Sequence, residues 1–284
     1  MAIKVGLNDL PPLSFAWIRF VIAAGILFGV CRMRRIPVLP ASRSDYLFFA
    51  QTGFLSFTIN YGLVFWGEQY ISSGLAAVLQ STMPLFGMVF AHWRLPDEPL
   101  RPRATIGAAL GVAGVGYICS TVLSAEGAAP FEGGLALIFG AASVAYSNVL
   151  IKARRGQFAP APMAAWQMLF GTIPLLALGL WRDGNPAHLA WTWKAVGCLL
   201  YLAVVGSSVA FLLFYWLMER IALNKLQTIA LVIPPLALVF GWTAAGEHIP
   251  LGTLAGAALV LAGLGLIFQR PSSPAGRFAS CPPD

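Results

Sequence analysis

The chain has 284 residues, of which 58% are hydrophobic and only 10% charged, and its mean hydropathy is +0.76. A soluble domain carries about 45–50% apolar and about 25% charged residues, so this composition excludes an ordinary water-soluble globule, and it also excludes a disordered chain, collagen and a coiled coil. The net charge of +7 is confined to short basic clusters between apolar runs, which argues against a nucleic-acid partner.

A helix that crosses a bilayer needs about 20 mostly apolar residues. Taken in order, the sequence predicts a stub at 1–7 and then nine full spans, at 12–31, 46–66, 74–93, 104–121, 133–151, 162–181, 195–218, 226–245 and 250–268. The runs are too long for barrel strands and lack their alternation, so they read as helices. Pro-Pro at 11–12, Asp-Glu-Pro at 97–99, Ala-Ala-Pro at 128–130, Gly-Asn-Pro at 184–186 and His-Ile-Pro at 248–250 punctuate them. Residues 269–284 predict a disordered tail. The connections at 32–45, 92–104, 152–159 and 219–225, together with that tail, hold fourteen of the eighteen Lys and Arg residues. The alternate set holds only Arg182 and Lys194. This asymmetry places the basic set and the C-terminus in the cytoplasm, in a multi-pass protein of the inner membrane.

The chain also matches itself. Residues 106–118 align with 255–267, and Trp17 with Trp166, at an offset of 149. Phe65-Trp66 aligns with Tyr215-Trp216, and Pro84 with Pro234, at an offset of 150. An ordered series at nearly constant offset marks a duplication. The second copy holds five spans. The first holds four and the stub, so its first helix reads as truncated by about 15–18 residues at the N-terminus. An odd number of spans per copy inserts the two copies in opposite senses, an inverted repeat of the kind found in secondary transporters.

Ile-Lys-Val-Gly-Leu followed by Pro-Pro-Leu-Ser-Phe-Ala-Trp-Ile-Arg-Phe at 3–20, Asn-Tyr-Gly-Leu-Val-Phe-Trp at 60–66, Ser-Gly-Leu-Ala-Ala-Val-Leu at 73–79, Met-Pro-Leu-Phe at 83–86 and the glycine pattern at 107–118 stand in a telling order. This order resembles the EamA branch of the drug/metabolite transporter superfamily. The resemblance covers about residues 1–268. It implies an all-α membrane protein of ten transmembrane helices in two inverted five-helix repeats, the first helix truncated here. It also implies a central cavity and export of small metabolites. The corresponding units are 1–124 and 131–268, with 269–284 a cytoplasmic tail.

Arg19 is the sharpest candidate within the spans. It lies within about 5 Å of the middle of its span, where an unsolvated cation costs at least about 2.5–3.5 kcal/mol. One reading is a clamp for a carboxylate or phosphate on the substrate. The other is a structural arginine bonded to the carbonyls of a broken helix. Trp17, Asn60, Tyr61, Trp66, Gln80, Tyr146, Trp166, Gln167, Tyr215, Trp216 and Gln227 supply the flat walls and polar handles that a cavity for small amphipathic molecules needs. The aromatic members could equally serve an interfacial belt or helix packing. Buried amides such as Asn60, Gln80, Asn148 and Gln167 must find partners, so they read as facing a cavity or another helix. Pro84 and Pro234-Pro235 interrupt matching helices and free carbonyls at depth, which marks them as break points near a site, or as plain kinks.

The glycine pairs Gly25/Gly29, Gly107/Gly111 and Gly252/Gly256 read as packing within each repeat, with a homodimer as the alternative use. No acidic residue lies comparably deep in a span. Proton coupling could use Glu68, His92 or His248 at the cavity mouths, and facilitated diffusion or exchange is equally consistent with the sequence. Cys31, Cys119, Cys198 and Cys281 are far apart and read as free thiols, with no metal site. No catalytic or nucleotide motif is present, so neither a cofactor nor an enzyme is expected. The sequence therefore predicts an inner-membrane exporter of amino acids or related compounds that works by alternating access. The alternative is a non-transporting scaffold or inactive truncated pseudo-transporter.

Overall fold

The computed structural model describes residues 6, 9–94, 102–126, 128–154, 156–189, 191–220 and 251–268, with Leu236, Val239 and Thr243. Among these, the regular elements are all helical. They are α1 (Pro12–Met33), α2 (Arg43–Gly67), α3 (Ser73–Gln80), α4 (Met83–Arg94), α5 (Pro102–Glu126), α6 (Ala128–Ala153), α7 (Pro160–Arg182), α8 (Trp193–Arg220) and α9 (Leu251–Phe268). Six segments, α1, α2, Gly74–Arg94, α6, α7 and α8, are long and apolar enough to cross a membrane. The apolar stretches Thr105–Ile118 and Leu251–Leu266 are shorter. Apart from Gly6, the stub at 1–7 lies outside the described residues, as does the expected span at 226–245, with Gln227, Pro234 and Pro235, apart from Leu236, Val239 and Thr243.

Helix starts follow local chemistry. Pro12 and Pro160 open α1 and α7, where a missing amide proton costs nothing. Ser42 caps α2 and Thr192 caps α8, each accepting from the backbone amide three residues on. Helices also run past the apolar spans. The stretch 122–132 reads as a connection in the sequence, yet α5 continues to Glu126 and α6 begins at Ala128. Pro130 sits in the first turn of α6, a position that tolerates proline, so it does not hold the chain out of the helix.

Two irregularities recur at the offset of the sequence repeat. A six-residue π-helical turn interrupts α2 at Phe54–Ile59, and another interrupts α8 at Val204–Val209. Each inserts an extra residue into the helix and loosens its hydrogen-bond ladder. The third irregularity is the break between α3 and α4. Pro84 is the second residue of α4, and the turn before it is made by Ser81 and Thr82. The Ser81 hydroxyl donates to the Val78 carbonyl at 2.6 Å and that of Thr82 to the Leu79 carbonyl at 2.6 Å. The same two carbonyls also accept from the Ser81 and Thr82 amides at 3.1 and 3.2 Å, so the end of α3 is bonded inside the protein, as a bilayer requires.

Counterpart helices from the two copies pack on each other and run antiparallel. In the α1–α7 pair, Ser14 meets Asp183, Trp17 meets Gly179 and Phe28 meets Trp166. In the α5–α9 pair, Gly107 and Gly111 meet Gly263, Gly114 meets Gly256, and Thr121 meets Gly252. This corrects the expectation for two of the glycine pairs. Gly107/Gly111 and Gly252/Gly256 serve the contact between the copies, because a glycine face lets two backbones approach where hydrocarbon offers no other drive to associate. Gly25 and Gly29 are exposed, with open space where a Cβ would stand.

One apolar core joins α1, α2, α7 and α8, and a second joins α3, α4, α5, α6 and α9. Trp93, Trp181 and Trp193 stand exposed near helix ends. The tightest crossing lies between α2 and α7. A Cβ on Gly53 would stand 2.3 Å from the Gln167 carbonyl oxygen, and one on Gly171 would stand 2.4 Å from that of Gly53. Gly171→Ala is expected to destabilise the protein by about 1–3 kcal/mol through this backbone clash, read as a lower unfolding midpoint in detergent. Gly25→Ala, which meets nothing within 4 Å, is expected to leave the midpoint unchanged.

Candidate functional site

Arg19 projects from α1 into the contact with α8 and is 3% exposed. Its Nε donates to Ser207 Oγ at 2.8 Å and its Nη2 to the Gly206 carbonyl at 3.1 Å. Both acceptors belong to the π turn of α8, whose loosened ladder leaves a carbonyl able to take a second donor. The guanidinium carbon lies 5.2 Å from the centre of the Phe20 ring and 5.5 Å from that of Tyr61, within reach of cation–π attraction. Glu68 caps the C-terminus of α2. The remaining amino group, Nη1, is buried and has no hydrogen-bond acceptor among the described residues.

An aromatic file leads away from this cation. Phe20 meets Phe57 at 5.0 Å and Tyr61 at 4.7 Å, edge to face. Phe57 meets Phe211 at 5.0 Å, and Phe211 meets Tyr215 at 6.1 Å. The Tyr215 hydroxyl donates to Gln167 Oε1 at 2.6 Å, and Gln167 Nε2 donates to Thr52 Oγ1 at 2.8 Å. Thr52 in turn donates to the Phe48 carbonyl at 2.7 Å. This buried polar chain ties α8 to α7 and α7 to α2.

Beyond Tyr215 the molecule opens toward the end that carries the basic loops. Ile151, Arg154, Phe158, Met163, Met218 and Glu219 line a pocket of about 20 Å³ together with Tyr215. Two wider hollows adjoin it. One, of about 420 Å³, lies between residues 36–41 and 157–163; the other, of about 540 Å³, lies between 156–160 and Glu219. Phe158 borders all three, with its ring 5.8 Å from Phe48 and 4.8 Å from Phe49.

The EamA-like transporter family matches residues 1–120 and again 132–269. The chain belongs to this family. Relatives of this EamA protein span most of its length. The uncharacterized transporter YoaV of Bacillus subtilis is 29% identical over 93% of this chain and 89% of its own. The probable amino-acid metabolite efflux pump of Salmonella typhimurium is 26% identical over 93% and 88%. The uncharacterized inner membrane transporter YedA of Escherichia coli K12 is 29% identical over 86% and 78%. A solved crystal structure at 18% identity has the same fold, with a TM-score of 0.70 over 93% of this chain and 90% of that one. The protein is a multi-pass membrane transporter of the EamA type.

Within this EamA protein the candidate residues separate into groups. Arg19 and Tyr61 stand together, and Tyr215 and Gln167 stand together at the other end of the aromatic file. Asn60 and Gln80 bond to each other at 3.3 Å, with Gln80 also on the Leu137 carbonyl, in the second core. Trp17 packs on Gly179, and its buried indole N–H has no partner among the described residues. Trp166 donates to the Val38 carbonyl at 2.8 Å near the basic end. Tyr146 receives Arg94 at 2.7 Å, Trp66 stacks edgewise on Tyr70, and the exposed Trp216 carries the Arg220 guanidinium at 4.1 Å. Sequence reasoning missed Ser207, Gly206, Thr52 and Phe158. A Ser-Ser pair at 207–208 and a lone Thr52 inside apolar runs were the available signals for the polar members.

Gln167→Leu would strand the Tyr215 hydroxyl and remove a donor from Thr52. It is expected to cost about 1–3 kcal/mol, as for other buried groups left unsatisfied. Adding Tyr215→Phe removes the stranded hydroxyl, so part of that loss should return in a double-mutant cycle of thermal unfolding.

Proposed function

We propose that this transporter exports small amphipathic metabolites bearing a carboxylate, amino acids and related compounds among them. It would do so by alternating access between two inverted five-helix repeats. The observation that carries the reading is Arg19. A buried guanidinium donates to one hydroxyl and one carbonyl from across the contact between the copies and lies against Tyr61, and its Nη1 meets no acceptor among the described residues. A carboxylate is the ligand that best completes such a donor set, and flat rings beside it suit an amphipathic body.

The repeat architecture is supported by the antiparallel packing of α1 on α7 and of α5 on α9, and by the matched π turns. Two similar bundles in opposite senses give two packings of similar energy, each open to one side. The concentration of basic residues at 32–45, 152–159 and 219–225 favours a cytoplasmic position for the end with the hollows and for the C-terminus. The printed description of the Salmonella relative as a probable efflux pump supports the outward direction.

The test is solute movement in proteoliposomes, with a panel of amino acids, their amines and their decarboxylated or esterified analogues, with and without a pH gradient. Carboxylate-bearing solutes are expected to move faster than through empty vesicles, and Arg19→Gln is expected to abolish this while the protein still purifies folded. Equal movement of analogues lacking the carboxylate, or none of any solute, would overturn the reading.

A further inference from the structure

The end opposite the basic loops is fastened by two carboxylates that reach from one copy to the other. Asp183 caps the C-terminus of α7. Its Oδ2 accepts from the backbone N–H of Ser14 at 2.9 Å and from the Ser14 hydroxyl at 2.8 Å. Ser14 is the third residue of α1, so its amide is one of those a helix start leaves unbonded, and the helix dipole favours an anion there. Asp9, just before α1, accepts from the Thr192 hydroxyl, and Thr192 caps α8 by accepting from the Ala195 amide at 3.1 Å. The start of α1 is thereby tied to the end of α7 and the start of α8.

The repeat offers a control for this arrangement. One copy along, at the offset of 149, Ser14 corresponds to Met163 and Asp9 to Phe158. Asp183 corresponds to Arg34, and Thr192 to Ser42 at the offset of 150. These mates stand at the basic end, where neither carboxylate position holds an acid. Met163 and Phe158 border the 420 Å³ hollow. Among the described residues the contacts between copies there include the Trp166 bond to the Val38 carbonyl, rings of Phe158 on Phe48 and Phe49 and of Trp166 on Phe28 and Tyr46, and a part-exposed Arg154–Asp45 pair at 3.9 Å. A part-exposed ion pair of that kind holds little. The duplication supplied equivalent positions at both ends, and among the described residues the carboxylate hydrogen bonds between copies stand at one of them.

We propose that Asp183 and Asp9 are a latch that holds the solute-free protein closed at this end and open at the basic end. Which compartment each end faces rests on the orientation argued under Proposed function. With that orientation, the resting protein is shut to the outside and presents its hollows to cytoplasmic solute. Separating α1 from α7 at the latched end requires breaking the bonds to Asp183. Each such bond involves a charged acceptor, so losing the carboxylate should move the balance between the two packings by about tenfold or more.

The test is hydrogen–deuterium exchange of the full chain in lipid nanodiscs, with no solute added. Asp183→Ala is expected to speed exchange about tenfold at 10–20 and 176–195, and to slow it at 36–49 and 157–163 as the hollows close. Asp183→Asn keeps an acceptor oxygen for Ser14 and is expected to shift the same peptides in the same directions by less. Should Asp183→Ala fail to fold, Ser14→Ala, which removes one of the two bonds, is read for the same pattern at both ends. Faster exchange confined to the first turn of α1, with the basic end unchanged, would show a local helix cap and overturn the latch. The readout uses no transported solute, so its failure and the failure of the efflux assay are separate results.

Discussion

A guanidinium near the middle of a hydrocarbon layer has to be solvated by the protein that carries it, since no water is at hand to do so. The organisation around Arg19 follows from that requirement. A regular helix has no carbonyl to spare, because each is bonded one turn on. The π turn at Val204–Val209 breaks that economy and gives Arg19 a carbonyl and a serine hydroxyl from α8. Phe20 and Tyr61 then cover the face of the ion with ring electrons. The cation therefore belongs to neither copy alone: α1 supplies it and α8 solvates it.

The same logic governs the break at Ser81–Thr82 and the chain through Tyr215, Gln167 and Thr52. In each place a polar group withdrawn from water is met by a hydroxyl or an amide. Glycine makes the meetings short enough. Gly53 and Gly171 bring the backbones of α2 and α7 into contact beside Gln167, so that a side chain as short as threonine can reach it. The polar chain and the glycine crossing depend on one another.

Much of this architecture was legible in the sequence. Apolar runs located the helices because the bilayer fixes their length and composition, and the internal match located the counterparts before any contact was known. Pro84 pointed to an interrupted helix because proline cannot donate. Helix ends were less legible: α5 runs to Glu126 since nothing in 122–126 forbids a helix outside the hydrocarbon. The grouping of candidates was not legible either. Asn60 and Tyr61 are neighbours in sequence, yet one bonds Gln80 in the second core and the other faces Arg19, because adjacent helical residues point about 100° apart. The π turns left no mark that hydropathy could register, and Gly206 has no side chain to advertise a carbonyl partner.

The two π turns rest on no shared side chain. Phe-Leu-Ser-Phe-Thr-Ile at 54–59 and Val-Val-Gly-Ser-Ser-Val at 204–209 share no residue at any matching position, yet the backbone swells in both at the same place. What recurs is a bent stretch of main chain, and the side chains packed around each one decide what it meets: in α8 the Gly206 carbonyl takes the Arg19 guanidinium, and in α2 the Leu55 carbonyl takes the Ser143 hydroxyl.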